Sequence, residues 1–529
     1  LKDRRGRTVP EELDIENIIA DIADMENRDT NNMADIRAWR DMYDLNWKPG
    51  DKRQDIDYSV DPLPVTVIDH AVDRICAQEP ILDVPIDQFT ITEQMLVQDE
   101  EVAKQAFMVD TFPRMNSNMD IMEMMTLHEG LKEGYRNLLS RKQSSFAREK
   151  SDKQEKFLLG IYYWSERERG ESLFHRATHD LTCDGVAVAR VIWDFEAAEG
   201  ECPYIIQRVS PVACHWRKGP HGLTAFVASD TQSYTAEKVF QEYGLDVREN
   251  FADPWSTIVE LNDYWRKIKR KGKVEIWHAV ITSGSLKKSK RENGQTVQGP
   301  DLTDYTEIPY VVEEVKPYED QGDNYKRRSL LTGLEVIWEQ LNLINTRWGM
   351  ILKKAAFPDL LVKGTTESLP LDEMGVGKSA KVQATSPDTQ VGFVQPPDAP
   401  GSIHLYRQML DQQAQLATFP KPIYGERAGT TSGIQDVTLI QSGLVRLNAF
   451  VRAIRLHLEG VFDQIQLRTI EFGKKSDKFQ LQVGNCCKEI TLGDVKGRFK
   501  LNVRIKGETL VEELMRGLAF LQYRAGPTP

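Results

Sequence analysis

Long apolar runs are missing from this chain. No stretch approaches the roughly 20 apolar residues a helix needs to cross a bilayer. The first segment, LKDRRGRTVPEELDIENIIADIADMEN, lacks the apolar core of a signal peptide. The expectation is a soluble, cytosol-assembled protein with no membrane partner. Cysteine is scarce and scattered. Cys76, Cys183, Cys202, Cys214, Cys486 and Cys487 form no CxxC pair, and the adjacent pair has no zinc spacing. A reduced compartment without structural disulfides is expected. A basic excess is also absent, since the formal net charge is −12. Proteins that grip DNA phosphates usually carry a basic face. The acidic total argues against tight DNA binding but not against passage, because an acidic wall repels phosphates and lets DNA slide.

Catalytic signatures are equally thin. Asp372–Ser379 ends in GVGKS, but a phosphate-binding loop needs Gly five residues before Gly377, and Asp372 stands there. A solvated turn is the better reading, and no cofactor is expected. His175, His179 and Cys183 fall at i, i+4 and i+8 of one helix, a face that can bind zinc. Arg176 spoils the HExxH form, and packing or capping histidines are the simpler reading. No GxSxG elbow or Cys–His context stands out. Acidic pairs such as Glu313-Glu314 and Glu319-Asp320 read as solvated surface. The basic runs Arg266–Lys273 and Lys287–Arg291 read as solvated loops or contacts to acidic neighbours, with a nucleic-acid patch as the alternative.

What is present is size and a particular order of parts. The 529 residues suffice for about three or four units. The content of charged (28%) and hydrophobic (40%) residues is ordinary for a folded protein. Residues 11–47 read as two acidic helices, stopped at Lys48-Pro49-Gly50, and 62–80 becomes helical after its prolines. Helical patterns dominate 96–183. The period then changes. Gly185–Asp194, Tyr204–Val209 and Thr224–Ser229 read as strands, and the Pro-containing Ile308–Val312 reads as an edge strand. Short strand candidates at Leu360–Val362, Ala380–Val382 and Gln390–Val394 lie between two helices. Ser432 with Gln435 fits a capping box, Gly473 fits a helix stop, and Gly443 and Gly460 are points where the long helix could bend. Residues 478–505 look like strands, and Glu508–Arg524 a last helix.

Two of the helices carry narrow apolar seams. The first runs through Leu330, Leu334, Ile337, Leu341, Ile344, Trp348 and Ile351. The second runs through Val437, Ile440, Leu444, Leu447, Val451, Ile454, Leu458, Val461 and Ile465. Both alternate steps of three and four over roughly three heptads or more. Such helices pack lengthwise against other helices, and a ring of subunits around a channel requires that more than a globular enzyme does.

The order of these parts resembles the portal (head-to-tail connector) proteins of tailed bacteriophages. FHRATHDLTCDGVAVARVIWD looks like that family's helix followed by the first wing strand, and IIQRVSPVACHW like the next strand. YKRRSLLTGLEVIWEQLNLINTRWGMILKKAAFPDLLVKG looks like the helix entering the stem and then the clip, with Gln340, Asn342 and Asn345 as its typical polar positions. PKPIYGERAGTTSGIQDV looks like the tunnel loop and the start of the helix behind it. The resemblance implies an α+β, mainly helical portal fold. Its wing would be 1–327 with strands from 474–507, its stem helices 328–356 and 401–419, and its clip 357–400. The tunnel loop would be 420–432, the long helix 433–473 and a short crown 508–529.

The implied function is not enzymatic. Portals form closed rings, usually of twelve copies, at one capsid vertex of the virion. They conduct double-stranded DNA in packaging and ejection, and they meet the major capsid protein, terminase and a head-tail adaptor. Position makes Lys353, Lys354, Lys421 and Arg427 candidates for touching DNA phosphates without reading sequence. For Lys353 and Lys354, simple capping of the helix dipole is an equal alternative. A rival reading is a capsid-associated adaptor or scaffold-like assembly protein without a conduit. A nucleotide-dependent enzyme is disfavoured by the defective GVGKS segment.

Overall fold

The computed structural model describes residues 7, 9–47, 58–77, 79–86, 100–115, 121–170, 172–197, 201–220, 222–230, 234–243, 253–270, 272–285, 295–315, 327–356, 360–363, 390–393, 401–419, 433–483 and 486–505. It is a mixed α and β protein. The first long helix, α1 (Ile15–Tyr43), is capped by the Asp14 carboxylate, which accepts from the Ile15 amide at 3.0 Å. Two helices were expected here, but α1 is continuous. The polar stretch in its middle is occupied by pairing: Thr30 donates to the Glu26 carbonyl, and Asp29 is held by Arg327. The helix therefore has two packing faces. Ile18, Ile22 and Met25 sit on one core, and Met33, Ile36, Trp39 and Met42 on another.

Helix α2 (Leu63–Cys76) buries Val67, Ile68, Ala71, Val72 and Ile75. Strand β1 (Ile81–Asp83) follows, then α3 (Glu100–Met115) and the 49-residue α4 (Ile121–Arg169). Helix α5 (Leu173–Cys183) begins at Ser172, whose hydroxyl accepts from the His175 amide. The expected strands then appear. β2 (Val186–Trp193) lies between β3 (Tyr204–Val209) and the edge strand β9 (Tyr310–Glu314), with Val188 opposite both Val209 and Val312. A second sheet is an antiparallel meander of β4 (Cys214–Gly219), β5 (Gly222–Asp230), β6 (Val259–Arg270), β7 (Lys273–Ser285) and β8 (Gln295–Leu302). One helix, α6 (Ala236–Tyr243), packs beside this sheet. The N-terminal half of α1 covers the meander through Ala225, Val227, Tyr264 and Trp277.

The basic run Arg266–Lys273 is thus a strand pair and not a loop. Period-2 burial of Tyr264 and Ile268 against β7 overrides its charge. Its Arg266 does meet an acidic neighbour, Asp21 of α1, at 2.8 Å. Arg217 also pairs with Asp21 and Asp24.

A helical hairpin follows: α7 (Glu335–Ala356), a short antiparallel pair β10 (Leu360–Lys363) and β11 (Gln390–Phe393), and α8 (Gly401–Ala417). The 39-residue α9 (Gly433–Glu471) lies across α5, β2 and β9. Leu447, Val451, Ile454, Leu458, Val461 and Ile465 of its seam are all buried, and Phe450, Ala453 and Phe462 widen the face. Each such aliphatic contributes roughly 1.5–3 kcal/mol, so the seam from Leu447 onward belongs to the subunit's own core, while the side chains of Val437, Ile440 and Leu444 lie outside the described ones. Gly460 marks close packing against β9, because a Cβ there would stand 2.7 Å from Val311 Cγ1. His457 is buried in the same face, and desolvation pushes its imidazole down to about 4, so it is neutral near pH 7. After Gly473 come β12 (Lys478–Val483), β13 (Cys486–Thr491), the one-turn α10 (Leu492–Val495) and β14 (Asn502–Arg504). β14 pairs with β1, so the chain returns to its N-terminal body.

The root of the hairpin is fastened at two points. Gly185, between α5 and β2, has φ +72°, and a Cβ on it would meet the Arg328 carbonyl oxygen at 2.6 Å. Arg327 donates to both Asp29 oxygens at 2.8 and 2.9 Å and to Glu314 at 3.2 Å, and it lies over the Trp216 ring at 4.5 Å. Glu314 was expected on solvated surface, but it is buried because Arg327 and Lys218 both claim it. Burial opposes the Asp29 carboxylate, yet the His215 hydrogen bond and the Arg327 charge outweigh it and hold its pKa below the usual range.

Two predictions concern this root. Gly185→Ala combines a positive φ with a backbone clash and is expected to destabilise by roughly 1–3 kcal/mol or more, read as a lower urea midpoint. Arg327→Met removes the main cation from the half-buried Asp29 and the buried Glu314, leaving only His215 and Lys218 beside them, and is expected to cost about 3–5 kcal/mol. The pH dependence has a definite sign. The depressed Asp29 pKa contributes stability that is present above the unfolded value of about 3.9 and is lost as pH falls through the lower folded value. Urea midpoints measured between pH 6 and 3 should therefore fall less steeply in Arg327→Met than in the parent.

Candidate functional site

The α7–α8 hairpin is the candidate site, because its sequence builds it for contact beyond its own chain. Its base is held on several sides. Trp39 of α1 donates to Glu335 at 2.6 Å, and the Leu330 amide donates to the Thr182 carbonyl at 2.9 Å. On the other limb, Arg446 of α9 donates to the Thr418 carbonyl at 2.6 Å, and Ala414 and Phe419 enter the main core.

One polar stripe of α7 has an internal use that the sequence did not reveal. Asn342 accepts from the Asp61 amide at 2.7 Å, and Asn345 donates to the Asp61 carboxylate at 3.2 Å. Trp338 donates to the Asp61 carbonyl at 2.9 Å, and Thr346 accepts from the Ser59 amide at 3.1 Å. These side chains clamp the extended segment entering α2. The signal was the pairing of Asn342 and Thr346 one turn apart with Asp61 ahead of Pro62, but only the fold supplies the partner.

The first seam divides along its length. Leu330, Leu334, Leu341 and Ile344 are buried, with Leu341 and Ile344 packed on Leu410 of α8. Ile337, Trp348 and Ile351 are only partly covered. Further along, α7 and α8 enclose a groove of about 330 Å³ lined by Leu343, Arg347, Trp348, Ile351, Ile403 and Tyr406. Trp348 meets His404 edge-on there at 4.4 Å. Outside the seam, large apolar side chains face solvent. Val336, Leu405 and Leu416 are 69%, 69% and 72% exposed, and Leu352 and Met409 are also uncovered. The most exposed apolar residues are thus not those of the predicted seam, whose first half serves the interior, but the positions beside it.

Of the proposed DNA-facing residues, Lys353 and Lys354 stand exposed in the last turn of α7, at the free end of the hairpin. Lys421 and Arg427, and with them the tunnel loop, lie outside the described residues. So do the GVGKS segment, Ala380–Val382, Ser432, Lys287–Arg291, Glu319-Asp320 and the expected helix Glu508–Arg524. His175, His179 and Cys183 do share helix α5, but they form no metal site. His175 is exposed, His179 packs edge-on against Tyr43 at 4.8 Å beside Asp180, and Cys183 is buried with its thiol pKa pushed up by desolvation. Among the described residues no cluster of His, Cys, Asp or Glu could hold a metal. No described helix is long and apolar enough to cross a membrane. Cys76, Cys183, Cys202 and Cys214 are free thiols.

No protein-family model matches the chain, and no curated protein matches it. Among solved structures it is similar to a chain from the neck of an empty GTA particle computed with C6 symmetry. The TM-score is 0.34 at 9% identity, over 89% of this chain and 87% of that chain. A likeness at this level assigns no family.

Proposed function

We propose that the chain is the subunit of a portal-type ring that conducts double-stranded DNA at one vertex of a phage-like capsid. The observation that carries this reading is the α7–α8 hairpin. It is rooted firmly at its base, yet its flanks expose Val336, Leu352, Leu405, Met409 and Leu416 to water. On α8 the exposed Leu405, Met409 and Leu416 recur at steps of four and seven and so share one face, and an uncovered apolar face of that kind marks an interaction surface. A heterologous contact repeated around a closing rotation covers both flanks of every copy and leaves a central hole. The order of parts supports the same reading: α+β body, helix out, short β pair, helix back, long helix, then strands returning to the body.

In this reading residues 1–327 and 474–507 form the wing, 328–356 and 401–419 the stem, and 357–400 the clip. Residues 420–432 form the tunnel loop, 433–473 the long helix and 508–529 the crown. The clip meets terminase and then the tail adaptor, the wing meets the major capsid protein, and the ATP-driven step belongs to the terminase. Lys353, Lys354, Lys421 and Arg427 present sparse cations to passing phosphates in an otherwise acidic protein. The protein itself performs no catalysis.

Negative-stain images of the purified protein are expected to show rings with a central hole, and sedimentation a single closed oligomer. A persistent monomer that hydrolyses ATP would sink the proposal, and an open filament would point to an assembly protein without a conduit. A variant with all four candidate cations changed to Ala is expected to form rings normally but to package or eject DNA at an altered rate. Unchanged DNA transport would remove these residues from the channel.

A further inference from the structure

The uncovered flanks of α7 and α8 each carry a regular repeat. On α8, Ser402, Leu405, Met409, Gln412 and Leu416 follow one another at alternating steps of three and four, and all five are exposed. At 3.6 residues per turn they fall in a stripe roughly 80° wide. Leu410 and Ala414, the buried residues of this helix, lie on the other side of it. On α7, Val336, Gln340, Leu343, Arg347 and Met350 alternate steps of four and three. Val336, Arg347 and Met350 are exposed, and Gln340 and Leu343 are half-buried along the groove. Each repeat advances about 21 Å. An alternation of this kind on an open face is the seam of a helix that packs lengthwise against another helix.

The hairpin's own pairing indicates the occupant. Within one copy the Trp348 and His404 rings are 4.4 Å apart, and Leu341 and Ile344 pack on Leu410. The two helices are therefore antiparallel, with Trp348 level with His404. Counting outward from that pair, Val336 is level with Leu416, Gln340 with Gln412, Leu343 with Met409 and Arg347 with Leu405. A closed ring is generated by rotation without rise, so about an axis along the hairpin each residue keeps its level from copy to copy. The outward seam of α7 then meets the outward seam of a neighbour's α8 in this same register. Apolar side chains fall on apolar ones at both ends of the overlap. Gln340 falls on Gln412, and each amide can both donate and accept. A polar layer matched inside an apolar seam fixes register. Arg347 lays its methylenes over Leu405 and keeps its guanidinium in water.

We propose that the outward seam of α7 in one copy packs antiparallel on the outward seam of α8 in a second copy, with Gln340 against Gln412. The two surfaces differ, so the contact is heterologous; the inference rests on the ring reading above and names the contact that closes it. A nucleic acid fits these faces less well. Arg407 and Asp411 are the charged residues of α8 and neither lies on its stripe, so a polyanion finds no cation there.

Sedimentation velocity on the full chain over a range of concentrations reads the strength of the contact. Leu405→Lys with Met409→Lys, and separately Val336→Lys with Met350→Lys, are each expected to raise the concentration of half-assembly by about tenfold or more, because two apolar side chains no longer leave water on docking. All four positions are exposed in the single copy, and circular dichroism confirms that each variant is folded. Cysteine pairs read the register. Copies with Gln340→Cys, mixed with copies carrying Gln412→Cys and mildly oxidised, are expected to form a disulfide identified by mass spectrometry of the linked peptides. Copies with Gln340→Cys mixed with copies carrying Leu405→Cys, one heptad out of step, are expected not to. If the parent forms rings and neither lysine pair shifts assembly, or the out-of-step pair links instead, the docking is wrong and the ring reading stands. If the in-step pair links but images show open filaments, the docking stands and the ring reading fails. If the parent remains monomeric at tens of micromolar, both fail.

Discussion

Arg327 sits where segments far apart in sequence converge, and it cannot shed its charge to ease its burial. An unpaired guanidinium out of water costs several kcal/mol. The side chain is almost wholly enclosed, so the cost is offset only when Asp29 of α1, Glu314 of β9 and the Trp216 face of β4 are all present. His215 and Lys218 extend the cluster to β4 again. The first long helix, both sheets and the start of the projecting hairpin are therefore positioned by one cation. Gly185 completes the junction, because only a residue without Cβ lets the turn into β2 pass the Arg328 carbonyl.

From that junction the structure separates two kinds of apolar surface. The α9 seam from Leu447 onward and the first half of the α7 seam are consumed by the subunit's own core, where Ile454, Leu458, Phe462 and Ile465 meet β2, β9 and α5. The flanks of α7 and α8 remain in water, and so does the α3–α4 arm. A chain that buries one set of helical faces so fully and leaves another so open is shaped for association. The polar residues follow the same division. Asn342, Asn345 and Thr346 spend their hydrogen bonds on the segment around Asp61, which stiffens the base of the hairpin. Lys353 and Lys354 at its far end are left to solvent.

Charge is divided in a comparable way. The inward acids of α1 and the arginines of the meander neutralise one another across the α1–sheet contact, with Asp21 shared by Arg217 and Arg266 and accepting from Tyr264 at 2.6 Å. Partly buried pairs of this kind fix orientation more than they add stability.

Local pattern was legible wherever one period dominated. Residues Tyr204–Val209 read as a strand because β-branched and aromatic side chains recur there, and α7 and α9 read as helices because their apolar steps of three and four persist. Gly185 was legible as a position before a strand. Charge misled where burial won. Arg266–Lys273 looked like a loop because its cations masked the alternation through Tyr264 and Ile268, and Glu314 looked exposed because its partner Arg327 approaches from a distant turn. The sequence by itself determined the helices and strands in which one period dominated, since periodicity is a local property of side-chain direction. Only the tertiary structure decided which apolar faces look inward, why Gly460 is a glycine and what Asn342 holds. Those answers depend on neighbours brought together from far along the chain, and no local period encodes them.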